Sequence, residues 1–165
     1  VLLEMSELRS VPCEDDVELG PLSEEVLTDL APLAENKGIA LNCAGDALVI
    51  GSDTLLYRLV FNLVENAIRY SRSGSTVNVS ICDNDSHVIL RVKDEGPGIP
   101  KQYRESIFQP FFRLDKSRSR AYGGAGLGLA LVWEIAALHG GTVEVEESSE
   151  NGTVMLVTLS KGATT

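Results

Sequence analysis

The sequence has little of what several functional classes require. Its 14 basic residues face 24 acidic ones, and the formal net charge of −10 argues against a general affinity for nucleic acid or an anionic membrane, because both carry negative charge. No apolar run approaches the roughly 20 residues of a membrane span, and the N-terminus has no basic start followed by an apolar core and a cleavage site. We therefore expect a soluble domain that contacts phosphate only through a local basic cluster.

Cysteine and histidine are equally scarce. Cys13, Cys43 and Cys82 are widely spaced and form no C-x-x-C pair, which is typical of reduced thiols in a cytosolic protein. The two histidines, His87 and His139, stand far from each other and from any cysteine pair, so a zinc site has no ligand cluster. Any metal must therefore be held by oxygen ligands.

The hydrophobic pattern alternates between helix and strand in a chain long enough for one domain, with 165 residues and 44% hydrophobic content. Three helices are predicted. The first lies between Gly20-Pro21 and Gly38, and Pro32 should introduce a kink in it. The second covers 53–70 with Ser52 as its cap, and the third covers 126–138. The predicted strands are 15–19, 39–43, 47–50, 76–82, 87–93, 142–146 and 153–159. We expect 39–43 and 47–50 to form a hairpin, and a helical layer to pack against a mixed sheet.

One face of the helix over 53–70 is polar in an unusual way. At 100° per residue, its aliphatic side chains lie on one side, whereas Arg58, Asn62, Glu65, Asn66 and Arg69 lie on the other. Asparagine is a weak helix former, so two of them four residues apart need a reason beyond solvation. The amide oxygen of Asn66 can ligate magnesium, which leaves other ligand positions to water and phosphate. Taken alone, such a stripe is more often solvated surface.

A glycine-punctuated turn follows the strand over 87–93. It reads Asp94-Glu95-Gly96-Pro97-Gly98-Ile99. Glycine permits left-handed backbone and the close approach of a flat ligand, and an aspartate at a strand end can accept a hydrogen bond from an exocyclic amine such as that of adenine. An ordinary Asp/Gly/Pro turn is the alternative for this stretch by itself.

Residues 101–125 fit no regular element, and a long loop in a compact domain is usually functional or disordered. The loop combines aromatic and basic side chains in an otherwise acidic chain: Phe108, Phe111, Phe112, Arg113, Lys116, Arg118 and Arg120. Aromatic anchors beside a basic cluster suit a lid that closes over polyphosphate. A flexible, solvated loop is the alternative.

Gly126-Leu127-Gly128 then opens a helix whose free amides and positive dipole end attract phosphate. No strand lies immediately before it, and no lysine followed by serine or threonine completes a Walker motif, so the Rossmann and P-loop folds are disfavoured. His139, at the other end of this helix, is interpreted as part of the helix stop.

In their order, these stretches resemble the N, G1, F and G2 boxes of the histidine kinase catalytic domain. The boxes correspond to 62–67, 94–98, 108–113 and 123–128, and the resemblance extends from about Asp15 to Ser160. It implies an α+β fold: a two-layer α/β sandwich in which a mixed, mostly antiparallel sheet packs against a layer of helices, with a long ATP lid. It also implies a catalytic domain over 14–162, preceded at 1–13 by the end of a dimerisation helix and its linker, and followed by a tail at 163–165.

The resemblance assigns roles by position. Asn66 resembles the magnesium-binding asparagine, Asn62 is its partner in the same box, and Asp94 resembles the carboxylate that recognises the adenine amine. Asn62, Glu65 and Arg69 are the catalytic candidates, although Arg69 stands where many members carry lysine. The residues implied to contact nucleotide are Asn62, Asn66, Arg69, Tyr70, Asp94, Gly96, Gly98, Ile99, Phe108, Arg113, Lys116, Arg118, Gly124, Gly126, Leu127 and Gly128.

Family logic also selects the reaction. Related gyrase-type, chaperone and mismatch-repair ATPases place a glutamate one helical turn before the metal asparagine to activate water, and that position here is Asn62. An amide cannot act as a general base at neutral pH, so the resemblance implies delivery of the γ-phosphoryl group to a separate nucleophile rather than efficient hydrolysis. Glu65 points about 100° away from Asn66 around the helix, which leaves it as a candidate base for another group.

The accepting histidine is not in this sequence, because neither His87 nor His139 has the context of a phosphoacceptor. Val1 to Arg9 resembles the last turns of the dimerisation hairpin. The resemblance implies ATP and Mg²⁺ as cofactors. For the intact protein it implies a phosphoacceptor histidine domain in the same polypeptide, a homodimer, a response regulator receiver domain as partner, and a cytoplasmic position in a membrane-anchored sensor. A serine-directed kinase of the anti-sigma-factor type and a nucleotide-sensing module without phosphotransfer are the alternatives.

Overall fold

The structure, a computed structural model, describes residues 14–110 and 128–161. Its strands and helices, in chain order, are β1 Asp15–Glu18, α1 Leu19–Lys37, β2 Ala40–Gly45, β3 Leu48–Gly51, α2 Asp53–Tyr70, β4 Thr76–Asp83, β5 His87–Lys93, α3 Gly128–Leu138, β6 Thr142–Ser149 and β7 Gly152–Ser160. Two short 3-10 turns, Lys101–Tyr103 and Ser106–Phe108, follow β5. The predicted helix remnant at Val1 to Arg9 and the tail at 163–165 lie outside the described residues.

The predicted sandwich is confirmed. A five-stranded sheet has the order β2-β4-β5-β7-β6, in which β2 and β4 are parallel and the other neighbours antiparallel. Along β4, Val77, Val79 and Ile81 are buried while Asn78 and Ser80 are exposed, as a strand with one covered face requires. The inward side chains of the sheet and the apolar faces of the helices form one hydrophobic core.

The predicted hairpin between 39–43 and 47–50 is wrong. β2 pairs with β4, whereas β3 pairs antiparallel with β1 in a separate two-stranded sheet. The carboxylate of Asp46, between the two strands, accepts the backbone N–H of Gly20 at 2.7 Å and that of Ala47 at 2.8 Å. Because Asp46 is held at the start of α1, the chain leaves the five-stranded sheet there instead of folding back along it.

α1 begins earlier than expected, at Leu19, so Gly20 and Pro21 lie in its first turn. Proline is tolerated there because the first N–H groups of a helix have no partner within the helix. The helix continues through Pro32 to Lys37, and Gly38 ends it in the left-handed conformation with φ 75°. The predicted stop at Gly38 is therefore confirmed, and the kink at Pro32 stays a prediction.

α2 has the predicted bounds and the predicted cap. The Oγ of Ser52 accepts the backbone N–H of Leu55 at 3.2 Å, which satisfies one of the free donors in the first turn. The predicted apolar face is buried: Leu56, Leu59, Val60, Leu63, Val64 and Ala67. Within 14–110 and 128–161, no helix is both long and apolar enough to cross a lipid bilayer.

A buried histidine joins the end of α3 to the start of α2. The Nδ1 of His139 lies 2.7 Å from the carbonyl oxygen of Ile135, and its Nε2 accepts the backbone N–H of Ser52 at 3.0 Å. A carbonyl only accepts, so Nδ1 carries the proton and the ring is neutral. Gly51 makes room for the ring, since a Cβ there would lie 2.3 Å from Cδ2. These contacts support a structural role for His139 at the helix stop.

This arrangement predicts an acid-sensitive contribution to stability. Burial lowers the pKa of His139, opposed by its bond to the Ile135 carbonyl. Since the unfolded chain binds a proton near pH 6.5 while the folded ring resists it, this contribution should be complete above about pH 6.5 and should be lost as the pH falls further. We expect His139→Gln to lower the free energy of unfolding by about 1–2 kcal/mol near neutral pH and to flatten its decline towards acid, as measured by urea unfolding across pH. His87→Gln, which leaves the contacts of His139 intact, is the matched control and should keep the decline that His139 produces. An unchanged profile in His139→Gln would contradict the assignment.

Candidate functional site

The end of α2 lies directly against the turn that follows β5. The Oγ of Ser71 accepts the backbone N–H of Glu95 at 3.2 Å, and the backbone N–H of Arg72 donates to the carbonyl of Glu95 at 3.4 Å. A Cβ on Gly96 would lie 2.5 Å from the carbonyl oxygen of Tyr70. Two motifs that are separate in the sequence therefore form one continuous site.

The polar face of α2 is half-buried along its predicted stripe. The side chains of Glu65 and Arg69, each 33% exposed, form an ion pair at 3.4 Å one helical turn apart. The Nδ2 of Asn62 is buried and has no hydrogen-bond partner among the described residues. An unpaired buried amide donor costs free energy unless a ligand supplies the acceptor, so this atom is suited to an anionic ligand.

Asp94 is a buried carboxylate, 7% exposed, at the start of the turn. Its Oδ1 accepts the backbone N–H of Gly96 at 2.9 Å and that of Thr153 at 3.1 Å. Burial raises the pKa of Asp94, the bonds from Gly96 and Thr153 oppose the shift, and the charge of Glu95 adds to it. Since both bonds end on Oδ1, Oδ2 is the oxygen that can accept a hydrogen bond from a ligand amine.

The glycines of this turn serve its packing against β6 and β7. Gly98 has the left-handed backbone that glycine permits, with φ 87°, and a Cβ there would lie 2.2 Å from the carbonyl oxygen of Ser149. A Cβ on Gly152 would lie 2.1 Å from the carbonyl oxygen of Asp94. Backbone therefore occupies the space that side chains would need, and the close approach of a ligand to Gly96 and Gly98 stays a prediction.

Sequence reasoning missed the residues that hold the turn in place. The Oγ of Ser148 accepts the backbone N–H of Ile99 at 2.7 Å and lies 2.8 Å from the hydroxyl of Thr153. Arg104 donates from Nε to the carbonyl of Ile99 at 3.2 Å and from Nη2 to that of Ser148 at 3.0 Å. Thr153 could have been identified from the sequence, because it is a polar side chain at an inward, buried position of a strand. Nothing in the sequence marks Ser148 and Arg104 for this role, because their partners are remote in sequence or are backbone atoms.

The start of the predicted lid is anchored to α3. Phe108 is 6% exposed, and its ring centroid lies 5.7 Å from that of Trp133, with an interplanar angle of 36°. Trp133 itself is 48% exposed. The described geometry thus gives Phe108 a packing role, and its contact with nucleotide stays a prediction.

The remaining predicted residues divide into two groups. Tyr70 is 38% exposed, Ile99 packs against the core, and Gly128 begins α3 at an exposed position. Their contacts with nucleotide stay predictions. Several predicted residues lie outside the described ranges: Phe111, Phe112, Arg113, Lys116, Arg118, Gly124, Gly126 and Leu127.

Magnesium is compatible with this donor set. Residues 14–110 and 128–161 contain no cluster of His, Cys, Asp and Glu that could hold a metal. A hard cation here would take amide oxygen from Asn66, with Asn62 beside it, and its other ligands from phosphate and water. Such an ion would bind together with a phosphate ligand rather than in a cage of protein ligands.

Comparison with known proteins identifies relatives across nearly all of the chain. A family model described as histidine kinase-, DNA gyrase B- and HSP90-like ATPase matches residues 51–163. The sensor-like histidine kinase SenX3 of Mycobacterium tuberculosis is 37% identical over 163 residues, which cover 96% of this chain and 40% of the relative. The sensor histidine kinase RppB of Synechocystis is 35% identical over 147 residues, covering 89% of this chain and 32% of the relative. The chain therefore spans less than half the length of these relatives.

Solved structures give the same result for the fold. The mycobacterial sensor histidine kinase MprB matches with a TM-score of 0.76 and 29% identity, over 89% of this chain and 97% of that one. Full-length ShkA, solved in complex with AMPPNP, matches with a TM-score of 0.81 and 25% identity, over 99% of this chain and 35% of that one. The likeness therefore includes the elements that carry the candidate site.

Two glycines with nearly equal φ allow a test of the turn. Gly98 has φ 87° and Gly74 has φ 86°, but a Cβ at Gly74 would have nothing within 4 Å. Each Gly→Ala substitution should lower the free energy of unfolding by about 1 kcal/mol, because alanine is disfavoured in left-handed backbone. Gly98→Ala should lose about 1–3 kcal/mol more, because its methyl group would collide with the Ser149 carbonyl. Urea unfolding of the two variants measures the difference, and equal losses would mean that the turn can move away from β6 at little cost.

Proposed function

The chain belongs to the histidine kinase-, DNA gyrase B- and HSP90-like ATPase family, and we propose that it binds Mg-ATP and delivers the γ-phosphoryl group to a histidine on a separate domain. Relatives that are sensor kinases support this function. The observation that carries it is Asn62, which puts an amide at the position where hydrolytic members of the family have a glutamate. Without a base for water at this point, transfer to another nucleophile is the favoured reaction.

Adenine recognition is assigned to Asp94. Oδ1 is held by the backbone of Gly96 and Thr153, which fixes the direction of Oδ2. The exocyclic amine of adenine donates to Oδ2 in this proposal, whereas guanine presents a carbonyl oxygen at the corresponding position and leaves the carboxylate unpaired. Rejection of GTP follows, because a buried acceptor without a donor is costly.

Phosphate and metal contacts are assigned to the polar face of α2 and the glycine-rich helix start. In this proposal Asn66 would hold the magnesium ion, and Asn62 and Arg69 would contact the phosphates. When bound, the ion neutralises phosphate charge and orients the γ-phosphoryl group for in-line attack. The lid is assigned the remaining phosphate contacts, through Arg113, Lys116, Arg118, Gly124, Gly126, Leu127 and Gly128.

The transfer step exchanges one bond for another. The bond between the γ-phosphorus and the bridging oxygen of ADP breaks, and a bond to an unprotonated imidazole nitrogen of the acceptor histidine forms. The proton on the other ring nitrogen becomes acidic as the ring gains phosphorus, and Glu65 is the carboxylate on this face that can receive it. Its ion pair with Arg69 holds Glu65 beside the phosphate-binding residues.

The chain covers 40% of the length of SenX3, and the partners proposed for the whole protein rest on its resemblance to sensor histidine kinases. They are a phosphoacceptor histidine domain in the same polypeptide, a second subunit and the receiver domain of a response regulator. The domain is assigned to the cytoplasmic side of a membrane-anchored sensor.

Asp94→Asn should weaken ATP binding while the fold is kept. The substituted amide retains an oxygen for the Gly96 and Thr153 N–H groups, but it turns a donor towards the adenine amine. Calorimetric titration with ATP should show at least a tenfold weaker affinity, since about 1.4 kcal/mol corresponds to a factor of ten. Asp85→Asn, in the exposed turn between β4 and β5, is the matched control and should bind as the parent does. Retained affinity in Asp94→Asn would remove Asp94 from the site.

The transfer itself is tested by joining the chain to the histidine-containing dimerisation segment expected before it and adding ATP labelled in the γ-phosphate. Label should appear on that segment as an acid-labile, base-stable phosphohistidine, and Asn66→Asp should change the magnesium concentration that the reaction requires. An acid-stable phosphoserine would favour the serine-directed alternative. ATP binding without any transfer of label to protein would favour the alternative of a nucleotide-sensing module.

A further inference from the structure

The two edge strands of the five-stranded sheet differ in how they are protected. β6 carries Glu144, Glu146 and Glu147, and its register shifts at a bulge between Val145 and Glu147. Charged side chains and bulges discourage another strand from pairing with an edge. β6 therefore has the features of an edge that stays unpaired in solution.

β2 has none of these features. Its sequence, Ala-Leu-Asn-Cys-Ala-Gly over Ala40–Gly45, contains no charged residue and no proline. It pairs with β4 in an unbroken parallel register along its whole length, and in the described part of the chain β4 is its only strand partner. The outer edge of β2 thus offers backbone donors and acceptors to a further strand.

A groove of about 650 Å³ lies beside this edge, between β2 and α1. Its aliphatic lining includes Leu27, Ile39 and Leu41, and its polar lining includes Glu24, Thr28 and Glu35. None of these residues belongs to the nucleotide site described above. An occupant of the groove would bury apolar side chains while it paired with the strand.

The charge of the groove indicates the chemistry of that occupant. Glu24 and Glu35 are its ionisable lining residues, and both are exposed. Burial raises the pKa of the Cys43 thiol in β2, and the negative charges of Glu24 and Asp46 raise it further. The negative electrostatic potential of these carboxylates therefore extends to β2. A basic segment would be attracted to this surface.

The spacing of the two carboxylates suits an extended chain. Glu24 and Glu35 are separated by a helical rise of about 16 Å, while basic residues four positions apart on a strand are about 13 Å apart. Side chains at alternate positions of a strand point to the same side. Because the groove lies on the face of the sheet that α1 covers, basic residues at positions i and i+4 with an apolar residue at i+2 would place charge near both glutamates and an apolar group between them.

We propose that β2 and the groove beside α1 bind an extended segment of a partner protein as an added strand of the sheet, with two basic side chains and an apolar one between them on the side that faces the groove. β-Strand addition of this kind obtains affinity from main-chain hydrogen bonds and specificity from side-chain pockets. A second copy of this chain is disfavoured as the occupant, because pairing β2 with β2 would bring two acidic grooves together.

The probe is a capped peptide of about nine residues in which every second position is in turn lysine and valine and the positions between are threonine, titrated calorimetrically into the chain at about 0.15 M salt. Binding should slow amide hydrogen exchange over 40–45 and leave β6 unchanged. Glu24→Gln combined with Glu35→Gln should weaken binding about fivefold, the effect expected of two exposed charge pairs. Glu144→Gln combined with Glu147→Gln removes the same charge from the opposite edge and should bind as the parent does.

A second peptide, N-methylated at every residue, keeps the charge but has no backbone N–H to donate to β2, and should bind at least tenfold more weakly. Equal affinity for both peptides, equal losses in the two double variants, or no protection over 40–45 would each overturn the proposal in favour of general electrostatic attraction. Protection over 40–45 that rises with protein concentration without peptide would instead identify a second copy as the occupant. ATP affinity should be the same in both double variants, so failure here is distinguishable from failure of the kinase proposal.

Discussion

The candidate site depends on the burial of one carboxylate, that of Asp94. A charged group can be buried only where hydrogen bonds replace its hydration. Here one oxygen is bonded both to the turn that follows β5 and to the backbone of β7 through Thr153. The proposed recognition group is therefore fixed to the sheet rather than to a free loop. The packing of Gly98 against Ser149 and of Gly152 against Asp94 serves the same purpose, because it holds the turn against the β6–β7 hairpin.

The second constraint is that α2 is held at both ends. At its start, Ser52 caps the helix and donates its backbone N–H to His139. At its end, the ammonium of Lys37 donates to the carbonyls of Ile68 and Arg69, where burial and the charge of Arg69 lower the pKa of the lysine. A cation at this end also stabilises the helix, because it lies beside the negative end of the helix dipole. With one face in the core and both ends bonded, the helix presents its asparagines from a rigid base.

Local patterns predicted most elements but not their partners. The bounds of α2, its cap and the stop of α1 at Gly38 were readable because apolar periodicity, a capping serine and a left-handed glycine act within a few residues. The hairpin after α1 was predicted wrongly because its turn residues satisfied the local pattern, while the carboxylate of Asp46 was bonded to Gly20, 26 positions away. A local pattern contains no information about such a competitor.

The same division applies to the site. The sequence by itself determined which residues could bind nucleotide: two asparagines one helical turn apart, an aspartate at a strand end, and glycines on both sides of a basic aromatic loop. Only the tertiary structure decided that Asp94 is bonded by Thr153, that Arg104 and Ser148 fix Ile99, and that β2, beside an acidic groove, has β4 as its only strand partner within 14–110 and 128–161. The physical reason is that these contacts join side chains to backbone atoms, most of them distant in the chain. Their positions follow from strand order and register, which no short stretch of sequence specifies.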